Sequence, residues 1–274
     1  MRLLHLVTAS ALLVSPALLL AQQSDRESDA EWLEKCRDQR YSGDDRGRAC
    51  EVRNVPVRLS GRSIAIDGQQ NGGVRVFGWD RDGVEVTARM QAQARSDAEA
   101  RELLSHVRIV ADGRGVRADG PSNDGNDGGW SVSYYANVPR RFDLDLTAHN
   151  GGLAVEGVSG KLSLDTHNGS VALLGVGGDV RANTQNGSLN VQLSGDKWDG
   201  SGLDAETRNG SVRLAVPEQY AAQLETWTVN GSIRTDIPVT LSGRISRQLS
   251  IPLGGGGRTI RAMTTNGSVQ ITRR

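Results

Sequence analysis

From residue 142 to the C-terminus, apolar and polar residues alternate in short runs, and the runs repeat in a fixed frame around an Asn-Gly pair. Six positions before Asn150, Asn168, Asn186, Asn209, Asn230 and Asn266 stand Leu144, Leu162, Val180, Leu203, Leu224 and Ile260, all apolar. Four positions before are Leu146, Leu164, Ala182, Ala205, Thr226 and Ala262; two before, Thr in five copies and Ala148 in the first. Three and five positions after the Asn the apolar residues resume, as in Val171 with Leu173 and Val269 with Ile271. A spacing of two is that of a half-buried strand, so each copy predicts two short strands meeting at an Asn-Gly corner. Self-similarity at roughly 18 to 23 residues marks stacked repeats. The expected fold class is all-β: a single-stranded parallel β-solenoid over residues 149–274, preceded by a region with one short helix and a disulfide loop.

Counting on by two places the Asn side chains on the apolar, inward side. An unpaired buried amide costs about 1–3 kcal/mol, so in-register stacking at about 4.8 Å would have each amide bond the copies above and below. The six asparagines form the expected structural ladder, and the following Gly supplies a positive φ for the corner. Asn266, in the last repeat, is expected near a frayed end, where its loss costs less than that of Asn186. An antiparallel meander is the alternative, because Asn-Gly is also a hairpin signal. Recurrence of the same residue types in the same phase favours the coil.

The N-terminal half is irregular. Residues 1–21 read as a secretory leader: Arg2, an apolar run, then Ala21, with an uncleaved anchor as the alternative. Residues 22–54 are polar and contain Cys36 and Cys50, the only cysteines. In an exported chain such a pair forms a disulfide, worth about 3 kcal/mol on the chain-entropy account; a metal site would need more ligands and a redox pair closer spacing. Trp32 is expected to pack over the bridge. Residues 55–148 show strand-like runs at 55–59, 63–66, 74–78, 84–89, 107–111 and 130–138. Between them, Ser96 and Glu99 form a capping box that predicts a helix over 97–106. This region is expected to cap the stack, while Arg273 and Arg274 guard its far end.

Composition sharpens this reading in two ways. Thirty-four glycines and only two phenylalanines suit a slim aliphatic core between many corners. A formal net charge of zero argues against a nucleic-acid partner, although residues 201–274 carry nine arginines against five carboxylates. Outward Arg213 and Arg234 are the candidate binding face. His149 and His167 precede the Asn in adjacent copies and could share a metal ion, but their column continues as Gln185, Arg208, Val229 and Thr265, without a third ligand. The Asp- and Asn-rich loop 119–129 lacks EF-hand spacing, and Gly254 to Gly257 lacks a phosphate loop's Lys-Ser/Thr ending. No Gly-x-Ser-x-Gly occurs. No catalytic residue, metal or cofactor is expected. Trp79, Trp130, Trp198 and Trp227 could stack on sugars if exposed. The Asn-Gly-Ser glycosylation matches read as by-products of the turn.

The run Asn-Gly-Gly-Val-Arg-Val-Phe-Gly-Trp-Asp at 71–80, the helix at 96–106, Val138-Pro139-Arg140 and the Thr-x-Asn-Gly-Ser repeats together resemble the bacterial putative-adhesin family of exported β-strand-repeat proteins. The resemblance covers Asn71 to the C-terminus, and the segment holding Cys36 and Cys50 looks like one seen before such domains. It implies a β-solenoid in the cell envelope and brings no catalytic residue. The expected role is an exported, non-enzymatic envelope binding or structural module in the periplasm, at the surface or secreted. Its partner would be an envelope component, glycan or protein, without stable membrane insertion. A signalling accessory and a polysaccharide-active enzyme are the alternatives.

Overall fold

A computed structural model describes residues 27–38, 46–59, 61–113, 115–123, 128–237 and 247–274. The leader reading therefore lies outside the described residues. The N-terminal half runs α1 (Asp29–Asp38), β1 (Gly47–Val55), β2 (Ser63–Asp67), β3 (Val74–Trp79), β4 (Glu85–Ala94), α2 (Asp97–Ser105), β5 (Arg108–Asp112), β6 (Gly115–Asp119) and β7 (Gly128–Pro139). Paired strands follow: β8 (Asp143–Ala148) with β9 (Leu153–Glu156), β10 (Ser159–Thr166) with β11 (Val171–Leu174), and β12 (Gly177–Asn186) with β13 (Leu189–Gln192). Then come β14 (Gly202–Asn209) with β15 (Val212–Val216), β16 (Ala222–Asn230) with β17 (Ile233–Thr235), β18 (Gln248–Leu253), and β19 (Thr259–Asn266) with β20 (Val269–Arg273).

Each pair is one rung, its first strand in one sheet and its second in the other. Sheet I has the order β1-β4-β7-β3-β9-β11-β13-β15-β20-β17, and sheet II the order β18-β16-β19-β14-β12-β10-β8-β2-β6-β5. The alternating apolar positions point between the sheets: Leu144, Leu162, Val180, Leu203, Ile260 and Leu224 are all at most 2% exposed. Register is by whole repeat, with Leu162 opposite Val180 and Val180 opposite Leu203 in parallel pairs. The meander alternative is thereby excluded for the rungs.

The expectation of a single-stranded parallel coil needs correction: both sheets are mixed. The pairs β1 with β4, β4 with β7, β5 with β6, and β16 with β18 are antiparallel. The stack also begins before residue 149, because β2 and β3 form a rung parallel to β8 and β9, and β6 and β7 add to it on the outside. At the N-terminal end, α2 packs against β1, β4 and β7 of sheet I, with Ala100 and Leu104 in the common core. Its Ser96 cap accepts from the Glu99 amide, and the helix ends at Ser105, one residue short of the expected range.

A second correction concerns rung order. The last rung, β19 and β20, does not end the stack but lies between β14–β15 and β16–β17, parallel to both neighbours in each sheet. Arg274 is consequently not an end guard. Its amide donates to the Val216 carbonyl and its guanidinium to the Leu193 carbonyl, both at 3.0 Å. The terminal strand of sheet II at that end is β18, where Pro252 removes one donor from the edge.

Sequence reasoning missed α1. Ser28 and Glu31 form a capping box, with the Glu31 amide donating to Ser28 Oγ and the Ser28 amide to Glu31 Oε2. The helix is tied down by the Cys36–Cys50 disulfide (Cα–Cα 6.3 Å) and by Arg89, which is 3% exposed. Arg89 donates to the Asp29 and Glu27 carboxylates, each at 2.9 Å, and to the Glu27 carbonyl at 2.7 Å. Its guanidinium lies over the rings of Tyr135 and Trp32. Among the described residues no helix is long and apolar enough to cross a membrane.

Candidate functional site: two charged faces and a ladder corner

At the Asn-Gly corner the chain stops alternating. Thr207 is fully buried, yet both Arg208 and Asn209 are exposed, and the other rungs show the same exposed Asn. The expectation that Asn150, Asn168, Asn186, Asn209, Asn230 and Asn266 point inward is corrected: the chain bends after the Thr, so the count of two no longer applies. Their amides are nonetheless joined, each Nδ2 donating to the next Oδ1 at 2.7–3.1 Å. The row runs Asn71, Asn150, Asn168, Asn186, Asn209, Asn266, Asn230, so it includes Asn71 and places Asn266 in the interior. This ladder lies along the outside of the corner.

The inward polar column is threonine. Thr166, Thr184, Thr207, Thr264 and Thr228 are at most 5% exposed, and each hydroxyl donates to a glycine carbonyl of the neighbouring rung at 2.7–2.8 Å. That satisfies a buried hydroxyl and a corner carbonyl together. The corner glycines are needed for close approach and not for the expected positive φ; among those that follow the six asparagines, only Gly267 is on the positive side. A Cβ on Gly169, Gly187 or Gly210 would lie 2.0 Å from the glycine carbonyl of the next rung. Left-handed glycines sit at the opposite corner instead, as Gly157 (φ 65°) and Gly175 (φ 58°).

The outer faces of the sheets differ in charge. Register places Arg75, Ala154, Ala172, Asn190, Arg213, Gln270 and Arg234 in one outward row of sheet I. Arg213 and Arg234, expected as a shared face, do share it, but Gln270 of the inserted rung separates them. Over the seven rungs from β3 to β17, sheet I carries four arginines and one carboxylate, Glu156. The matching strands of sheet II carry eight carboxylates and four cations. Part of that charge is paired: Arg261 contacts Glu225 at 2.8 Å and Asp204 at 3.9 Å. The zero net charge thus conceals a basic face and an acidic one.

Beside the ladder, the His149 and His167 rings stand 4.8 Å apart. Among the described residues no group of three or more His, Cys, Asp or Glu could hold one ion. Of the tryptophans, Trp198 is buried and donates to the Gly178 carbonyl, Trp79 donates to the Gly83 carbonyl, and Trp227 is 39% exposed. Trp130 is partly buried in the wall of a small cavity. Tyr134, in the core, is the one buried side chain among the described residues whose polar atom lacks a partner. Burial, then the Asp67 charge, hold its hydroxyl well above the ordinary tyrosine range.

The family model described as Toastrack DUF4097 matches residues 132–272. No curated protein sequence matches the chain. Solved structures similar to it include a putative cell adhesion protein from Clostridium sporogenes, at 8% identity and a TM-score of 0.46, covering 83% of this chain and 100% of that one. A putative adhesin from Bacteroides fragilis matches at 10% identity and a TM-score of 0.37, covering 82% and 97%. A putative lipid binding protein from Parabacteroides distasonis matches at 11% identity and a TM-score of 0.30, covering 82% and 96%.

Proposed function

The chain belongs to the Toastrack DUF4097 family, a domain of unknown function in bacterial proteins, and from that premise we propose that it is an exported, non-enzymatic module that binds a cell-envelope component through the outer face of sheet I. The segregation of charge between the two faces carries this reading. A flat row holding Arg75, Arg213 and Arg234, diluted by only one carboxylate over the sheet I strands from β3 to β17, attracts an acidic surface, and its rigidity limits the entropy lost on binding. Export is supported by the leader-like first 21 residues and by the Cys36–Cys50 disulfide, which persists in an oxidising compartment. The non-enzymatic reading is supported by the arrangement of ionisable side chains, which lie in extended columns along the faces.

The test is capture from envelope extracts by the immobilised mature protein and by an Arg213→Ala/Arg234→Ala variant. Loss of most captured material in the variant, together with a steep decline with salt in the wild type, is the expected result. Equal capture by both proteins would remove this face from the account.

A further inference from the structure

The asparagine ladder ends, on its N-terminal side, at a cavity of about 190 Å³. Its wall includes Gln69, Gln70 and Asn71 from the corner after β2, Asp119 and Gly120 from the end of β6, and Trp130 from β7. The ladder is directional, since each Asn gives its amide hydrogen toward the N-terminal side and Asn71 accepts from Asn150 at 3.1 Å. Asn71 is therefore the donor end of seven aligned amides, and it stands in the cavity wall.

Gln69 has a φ of 56° and is the only non-glycine among the described residues with positive φ. A left-handed side-chain-bearing residue costs about 1–3 kcal/mol and persists where its surroundings enforce it, often at ligand sites. Here Asp67 enforces it, accepting from the Gln69 amide at 2.8 Å and from its Nε2 at 3.0 Å. Trp130 is held as firmly. Its indole donates to the Pro121 carbonyl at 2.9 Å, and the Asn123 amide pairs with both its backbone groups at 2.7 and 3.1 Å.

We propose that this cavity binds the terminal residue of a neutral glycan. A pyranose has an apolar face suited to an indole and a rim of hydroxyls suited to amides and a carboxylate, the combination present here. Asp119, the one ionisable side chain among the described residues of the wall, accepts from hydroxyls and repels anionic ligands. The amides of Gln70 and Asn71 disfavour a purely apolar guest. A volume below the roughly 300–1,000 Å³ of sites for drug-sized ligands admits one ring, so the glycan enters by its end. Nothing in this assignment depends on the arginine face of sheet I.

The mature full-length chain is titrated with neutral trisaccharides ending in glucose, galactose, mannose or N-acetylglucosamine, and with one ending in glucuronate. Binding is read by saturation-transfer NMR and tryptophan fluorescence. At least one neutral trisaccharide binds with a Kd below about 1 mM. Asn71→Ala/Asp119→Asn, at exposed positions, and Trp130→Phe each weaken it about tenfold, while Arg213→Ala/Arg234→Ala leaves it unchanged. The proposal is overturned by absent neutral binding up to about 10 mM, by equal affinity in the Asn71/Asp119 variant, or by stronger binding of the glucuronate-terminated sugar. Trp130 also packs against the core, so the exposed pair supplies the decisive comparison if Trp130→Phe unfolds.

Discussion

At the corner, backbone approaches backbone so closely that glycine is imposed by contact. Gly187→Ala would drive a Cβ to 2.0 Å from the Gly169 carbonyl, so thermal unfolding should show a loss of about 1–3 kcal/mol. Gly83→Ala, where a Cβ meets nothing within 4 Å, should stay within about 0.5 kcal/mol of wild type. These glycines were legible in the sequence, but the reason for them was not, because contact between rungs leaves no mark in any one repeat. The Asn and Thr columns show the same limit. Alternation assigns both to the inside, yet the bend after Thr207 exposes Asn209 and leaves the Thr hydroxyl as the buried group. Titration supplies another residue-scale test. Burial and then the Asp196 charge push the Tyr220 hydroxyl from 10.0 up to about 12. The folded state keeps this proton after the unfolded chain has lost it, so the contribution is full below about pH 10 and falls between about pH 10 and 12. Alkaline unfolding of Tyr220→Phe should decline less over that window than wild type.

Helix α1 is held by charge and a covalent bond more than by apolar burial, since Cys36 is its only buried residue. That is why periodicity did not reveal it, even though the Ser28–Glu31 capping box stood in the sequence. Its ion pairs are asymmetric: Arg89 is 3% exposed, while Glu27 and Asp29 are 33% and 46% exposed. Neutralising the acids leaves a buried guanidinium without its counter-charges, and removing the arginine leaves carboxylates that water can reach. Glu27→Gln/Asp29→Asn should therefore destabilise by about 3–5 kcal/mol, more than Arg89→Leu does in the same denaturant titration. A larger loss for Arg89→Leu would mean that its packing on Tyr135 and Trp32 outweighs the charge. By contrast, α2 was readable almost to its ends, because it combines a cap at Ser96 with an apolar face.

Across the whole molecule, the rung pattern was visible in the sequence and the rung order was not. The segments around Asn230 and Asn266 present nearly the same inward residues, so either fits the slot beside β14 and β15. Tertiary pairing decides, with β18 folding back antiparallel on β16 while β19 and β20 fill the place between. Stability should follow stack order. Asn266, bonded on both sides, should cost up to about 1 kcal/mol more on conversion to Ala than Asn230, bonded on one. Equal losses would count against a continuous ladder. Cysteine cross-linking gives the most direct measurement of the inserted rung. Arg213 and Gln270 are opposite each other on adjacent strands, at about 4.8 Å and within bridging range. Arg213 and Arg234 lie two rungs apart, about 9.6 Å and too far for a bridge. Under mild oxidation, with peptide mapping to set aside the native Cys36–Cys50 bond, Arg213→Cys/Gln270→Cys should cross-link and Arg213→Cys/Arg234→Cys should not; the reverse outcome would contradict the inserted C-terminal rung.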